Sequence, residues 1–190
     1  MNPLEALATA AGIANIVLLV RRSVWNYPFG LVMVALYAWI FLGARLYSDA
    51  LLQLFFFVIQ LYGWRAWVRA GEVEDGVRVE RLTAPARAAW IAMVAVVSVM
   101  WGATMARYTD AAAPFWDGGI AVASVAAQIL LARRRVENWV LWILVDVAAI
   151  ALYARKDLML TACLYGVFLI LSTVGLVGWQ RALGRERVAA

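Results

Sequence analysis

The richest chemistry in this 190-residue chain lies between Glu137 and Asp146, which reads ENWVLWILVD. Asn138, Trp142 and Asp146 follow one another at i, i+4 and i+8, and Trp139, Trp142 and Asp146 at i, i+3 and i+7. A helix therefore places them along one face. Two indoles followed by a carboxylate one turn deeper suit a flat, cationic ring. The aromatic faces stack and attract positive charge, and the carboxylate neutralises it or accepts a hydrogen bond. A second series, Asp49, Gln53, Gln60 and Trp64, falls within roughly 60° on a helical wheel. Ser124 and Gln128 add an i, i+4 pair.

Each of these residues has a structural competitor. Trp25, Trp139 and Trp179 lie at the ends of apolar runs, where tryptophan belongs to the interfacial belt. Gln128 and Ser172 are equally suited to binding helix to helix. Asp49 and Asp117 lie near helix ends, where capping competes. Asp146 could be a structural acid paired with an arginine, but no arginine lies near its depth, which favours a site.

Other chemistry is excluded. The chain has no histidine, so it lacks the commonest general base and metal ligand. One cysteine, Cys163, allows neither an internal disulfide nor a multi-cysteine metal site. No G-x-x-x-x-G-K-[ST] phosphate loop occurs, and the one lysine, Lys156, lies in a short loop, which excludes a buried Schiff base. We expect no cofactor, no metal and no enzymatic activity, with a small molecule as partner.

The elements that must position these residues follow from composition. The chain is 66% hydrophobic and 15% charged, too few charges to clothe a soluble domain of this length. Apolar runs lie near 6–20, 27–44, 50–68, 88–106, 115–132, 138–154 and 158–180. The first is followed, not preceded, by its basic pair Arg21-Arg22, unlike a signal peptide. The expected fold is an all-α integral membrane protein with seven transmembrane helices. Thirteen basic residues then fall on the C-terminal side, in the groups 21–22, 65–87, 133–135 and 181–187. Arg45, Arg107, Arg155 and Lys156, four in all, fall on the other. The positive-inside rule gives an outer N-terminus and a cytoplasmic C-terminus. The basic excess thus reads as topology, not as nucleic-acid binding.

The sequence also repeats. LLVRRSVWN at 18–26 returns 112 residues later as LLARRRVEN at 130–138, identical at six of nine positions. The same offset pairs Leu46 with Leu158, Ala50 with Ala162, and Asp49, Gln53 and Gln60 with Thr161, Tyr165 and Ser172. A three-residue slip would bring Gly63-Trp64 onto Gly178-Trp179. This predicts two parallel three-helix repeats, residues 1–68 and 115–190, joined by a polar linker and connecting helix at 69–114. Transporters so built hold their substrate near mid-membrane between the repeats.

Pro28-Phe29-Gly30, the run YSDALLQLFFFVIQLYGW at 47–64, Ala127-Gln128, ENWVLWILVD, Leu160-Thr161-Ala162 and Leu164-Tyr165 together resemble the bacterial nicotinamide riboside transporters, PnuC. The resemblance covers nearly the whole chain except the linker and fourth span. It implies a duplicated, SWEET-like 3+1+3 fold, a homotrimer in the bacterial inner membrane, and uniport of a vitamin precursor that a cytoplasmic kinase traps. The W-x-x-W element is matched by Trp139 and Trp142, residues implied to line or gate the site. The expected substrate-binding set is Gln53, Gln60, Gln128, Asn138, Trp139, Trp142, Asp146 and Tyr165. Thiamine, riboflavin and deoxynucleosides are alternative substrates in related branches. A membrane structural or receptor protein, its stripes serving only as glue, is the rival class.

Overall fold

The computed structural model describes residues 3–43, 47–73, 76–110, 113–155 and 159–188. Among them are seven helices: α1 (Pro3–Val20), α2 (Asn26–Gly43), α3 (Tyr47–Ala70), α4 (Ala84–Tyr108), α5 (Pro114–Ala132), α6 (Glu137–Arg155) and α7 (Met159–Val188). A short antiparallel hairpin, β1 (Glu72–Val73) and β2 (Gly76–Val77), follows α3. Among the described residues, five helical stretches are long and apolar enough to cross a bilayer: α2, α4, α5, α6 and Ala162–Arg185 of α7. The apolar part of α1, Ala6–Val20, is shorter. In α3, Gln53, Gln60, Arg65 and Arg69 interrupt the apolar run.

Helix limits differ from the sequence expectation where capping intervenes. α4 begins four residues early because Thr83 caps it, its side chain accepting from the Ala86 backbone N–H, with Pro85 in the first turn. α7 continues through LGRERV to Val188, so the polar tail is helical. Exposed large apolar side chains are abundant. In α4 only Gly102 is buried, while Ile91, Val96, Val99 and Met100 are exposed. Such a helix is stable in hydrocarbon, where its backbone bonds are satisfied internally. The chain is a multi-pass membrane protein.

The described residues form two compact units. The first comprises 1–79, 132–134 and 178–190, and the second 80–131 and 135–177. In the first, α1 ends as Arg22 takes a left-handed conformation (φ 58°). The Arg22 N–H donates to the Leu19 carbonyl (2.9 Å) and the Ser23 N–H to the Leu18 carbonyl (3.0 Å). This is a Schellman ending with arginine where glycine is usual. A non-glycine residue there costs about 1–2 kcal/mol. The side chain offers compensation: Arg22 is buried and its Nη1 donates to the Val77 carbonyl at 3.3 Å. The Val77 N–H returns a bond to the Arg22 carbonyl (3.0 Å). At Gly76 (φ 107°) a Cβ would stand 2.8 Å from the Arg21 carbonyl oxygen, so that residue must be glycine.

The turn between α5 and α6 is built the same way. Arg134 has φ 59°, the Arg135 N–H donates to the Leu130 carbonyl (2.9 Å), and Arg134 Nη1 donates to the Arg78 carbonyl (3.3 Å). In the second unit the linker continues with the Val136 N–H donating to the Glu80 carbonyl (3.0 Å) and an Arg135–Glu80 ion pair of 2.8 Å. Glu137 accepts from the Leu82 N–H and pairs with Arg87 at 3.0 Å. After each turn an asparagine opens the next helix. Asn26 Nδ2 donates to the Ser23 carbonyl (2.7 Å), and Asn138 Nδ2 to the Arg135 carbonyl (2.6 Å).

The expected three-residue slip is absent. Gly63 packs on Tyr27 and Gly175 on Trp139, and the fully buried indoles are Trp67 and Trp179, all at the uninterrupted offset of 112. Distance from the turn along the helices decides which side chains meet, so matching the Gly-Trp dipeptides misaligned the helix ends.

Candidate functional site

Within the first unit the polar interior centres on Gly30. Gln60 is 5% exposed and its Oε1 lies where a Cβ on Gly30 would stand; Asn15 Nδ2 is 2.7 Å from the same point. Asn15 Nδ2 donates to the Asn26 carbonyl (2.7 Å), tying α1 to the start of α2. Glycine at position 30 thus makes room for two amides. Asn15 was not singled out from the sequence. Its signal, a lone amide within the shortest apolar run, was available but has no polar counterpart 112 residues later, where Ala127 stands. Gln53, two turns before Gln60, is half-buried, as is Trp64. The side chains of Asp49 and Thr161, and all of Lys156, lie outside the described residues.

The second unit holds the carboxylate. Asp146, 3% exposed in mid-α6, accepts a 3.0 Å hydrogen bond from the hydroxyl of buried Ser172 on α7. Among the described residues it forms no ion pair. Seven residues before Ser172, and so on the same face of α7, Tyr165 stacks on Tyr153 (centroids 5.4 Å) and meets Phe168 edge-on (5.7 Å). Trp142, one turn before Asp146, is half-buried. Gln128 on α5 is half-buried, whereas the Ser124 hydroxyl is spent on the Ile120 carbonyl (2.8 Å).

Two residues of the expected set have structural partners at the turn. Asn138 is fully buried, with its Nδ2 on the Arg135 carbonyl. Trp139 is 2% exposed and its ring covers Gly175, where a Cβ would stand 2.6 Å away. Asp146 and Ser172 thus meet between α6 and α7, with Trp142 one turn before Asp146 on α6 and the Tyr153–Tyr165 stack two turns after it. Gln60 and Gln53 belong to the first unit. Ser172 emerged as the partner of Asp146 because the structure gives the helix rotation that a wheel leaves open.

Among the described residues no acid–base–nucleophile constellation occurs, and no cluster suits a metal ion. It offers one carboxylate, amides, a phenol and indole faces. From Pro114 to Ala132, Asn138 to Ala154 and Met159 to Gln180 there is no lysine or arginine.

An all-helical chain with apolar faces outward and a carboxylate and amides held in mid-helix has the make-up of a multi-pass membrane transporter. The comparisons narrow the class. The profile of the family described as nicotinamide mononucleotide transporter matches residues 2–181. The nicotinamide riboside transporter PnuC of Escherichia coli K12 is 31% identical over 209 residues, covering 97% of this chain and 87% of the relative. The PnuC of Neisseria mucosa is 28% identical over 195 residues, covering 96% and 74%. A crystal structure titled as that of the vitamin B3 transporter PnuC superposes with a TM-score of 0.76 at 29% identity, covering 97% of this chain and 84% of that one. The chain belongs to the nicotinamide mononucleotide transporter family, a family of membrane transporters, not enzymes.

Proposed function

We propose that this protein transports nicotinamide riboside, the unphosphorylated and cationic form of the vitamin, across the bacterial inner membrane. The observation that carries this reading is Asp146, a buried carboxylate held by Ser172 with Trp142 one turn away, on helices free of basic side chains in mid-membrane. A pyridinium ring gains from such a site through stacking and charge. A phosphate monoester would meet a carboxylate and no guanidinium, which disfavours the mononucleotide of the family's description. The E. coli and N. mucosa relatives, described as riboside transporters, support the same choice.

In this reading Trp142 stacks on the ring, Asp146 balances its charge, and Gln128 and Tyr165 bond the carboxamide and ribose, while Gln53 and Gln60 serve as polar positions of the solute path within the first unit. Asn138 and Trp139 hold the cytoplasmic start of α6 in place. Residues 1–68 and 115–190 act as two parallel three-helix repeats, α4 and the linker joining them. The basic residues set an outer N-terminus and a cytoplasmic C-terminus. The solute moves by alternating access without ion coupling, and the family resemblance supports a homotrimer.

The test is uptake into proteoliposomes with no ion gradient. Labelled nicotinamide riboside equilibrates, excess unlabelled riboside competes, and nicotinamide mononucleotide and riboflavin do not. Thiamine, being cationic, is the second reading that Asp146 favours; stronger competition by thiamine than by riboside would transfer the assignment to it. For the rival in which the stripes are only glue, Gln53→Cys in a Cys163→Ser background discriminates. Labelling by an aqueous thiol reagent supports a wet path, and complete protection under all conditions supports glue.

A further inference from the structure

We infer that the outer face of α3 is a binding groove for one anionic phospholipid. Gln60, Gly63 and Trp67 lie on the packed face of α3, where Gly63 and Trp67 meet Tyr27 and Gln60 meets Gly30. Leu54, Val58, Leu61, Arg65 and Val68, at i, i+4, i+7, i+11 and i+14, form a stripe turned roughly 140° away from it. The four apolar members are exposed by between 44% and 59%, and Arg65 is exposed as well. At the end of the stripe Leu61, Trp64, Arg65, Val68 and Arg69 line a shallow, mainly apolar groove belonging to α3 alone.

The dimensions match a lipid. From Leu54 to Arg65 the helix rises about 16 Å, close to one leaflet of a hydrocarbon core about 30 Å thick. An acyl chain lying along Leu54, Val58 and Leu61 thus brings its headgroup to Trp64, Arg65 and Arg69. Tryptophan suits the headgroup level, and two guanidiniums a turn apart suit a phosphate. Neither arginine has an acidic or hydrogen-bonding partner among the described residues, so both charges are available. Juxtamembrane arginines gain when they face anionic lipid, and two of them give a preference of about tenfold or more over zwitterionic lipid. The occupant is therefore a phospholipid, not a free phosphate, since a soluble ion would leave the apolar stripe unused.

The test is native mass spectrometry of the purified full-length protein in neutral detergent, titrated with phosphatidylglycerol, phosphatidylcholine or glycerol 3-phosphate. One tightly held phosphatidylglycerol per chain is expected, about tenfold preferred over phosphatidylcholine, with glycerol 3-phosphate unable to displace it. The preference disappears in Arg65→Gln/Arg69→Gln, persists in Arg133→Gln/Arg181→Gln, which loses the same charge elsewhere, and fades at high ionic strength in the unaltered protein. Equal retention of the two lipids overturns the inference. So does displacement by glycerol 3-phosphate, an undiminished preference in the 65/69 variant, or a change of oligomer mass in that variant without lipid loss, which would assign the face to a second copy. Because the salt dependence is read on the unaltered chain, misfolding of a variant leaves the inference decidable, and none of these outcomes depends on which solute is carried.

Discussion

The α1–α2 turn and the α5–α6 turn share a geometry and differ in what they position. After Leu18 and after Leu130 the backbone makes the same Schellman ending, puts an arginine in the left-handed region, lets that arginine reach a linker carbonyl, and opens the next helix with an asparagine bonded three residues back. Beyond that point the contents diverge. In the first segment Tyr27 covers Gly63, and Gly30 makes room for the amides of Gln60 and Asn15. In the second, Trp139 covers Gly175, Trp142 occupies the position of Gly30, and Ser172, at the position of Gln60, holds Asp146. The same turn geometry thus leads into a neutral amide cluster in one unit and an aromatic and acidic cluster in the other. Backbone satisfaction fixes the scaffold, since a helix end without partners is costly wherever it lies. The mid-helix positions face no such demand and are available for recognition.

The sharpest way to break this contrast is Trp142→Ala. Loss of a desolvated cation–π and stacking partner is expected to cut riboside uptake by about thirtyfold while leaving the melting midpoint in detergent nearly unchanged. An equal loss in both would make Trp142 a packing residue like Trp139. Next come the glycines under the aromatic caps. Gly175→Ala and Gly63→Ala each press a Cβ within 2.6 Å of the Trp139 ring or the Tyr27 hydroxyl, and each is expected to destabilise by about 1–3 kcal/mol. Gly119→Ala, with nothing within 4 Å, serves as the neutral control in the same thermal assay. Should only one cap matter, the two turns would not be mechanically equivalent.

Asp146→Asn probes the charge alone, because the amide oxygen still accepts from Ser172. Competition by cationic and neutral ring analogues should show the preference for the cation falling about tenfold, with stability preserved. The smallest expected effect sharpens the likeness of the two segments. Asn26→Ala and Asn138→Ala each lose one side-chain bond to a turn carbonyl, about 1 kcal/mol, and should lower the melting midpoint by similar amounts.

Much of this contrast was legible in the sequence, and for identifiable reasons. Seven apolar runs became seven helices, and the RR…V.N repeat became two turns of one geometry, because span length and helix endings are local properties. That Asp146 faces the packed interior was readable because a carboxylate in an apolar run is costly unless it finds a partner. Ser172 as the partner of Asp146, and Asn15 beside Gln60, were not readable as contacts, since both depend on how neighbouring helices are rotated. The alignment of Trp67 with Trp179 was missed because a dipeptide match drew attention from the constant spacing. Asn138 and Trp139, singled out from the sequence for recognition, have turn and packing partners that a periodicity argument does not reveal.

The unbroken offset has a genetic consequence. Gly63 follows Tyr27 by thirty-six residues and Gly175 follows Trp139 by the same interval, so neither segment has absorbed a net insertion or deletion relative to the other over that stretch. A duplicated ancestral gene would leave this record, with length changes confined to the sequence joining the copies. The chain therefore comes with its own crossover points: exchanging codons 23–67 with codons 135–179 keeps every cap over its glycine and both buried indoles in register. Such chimeras would let recombination, not point substitution, ask whether the amide half and the aromatic half can trade places.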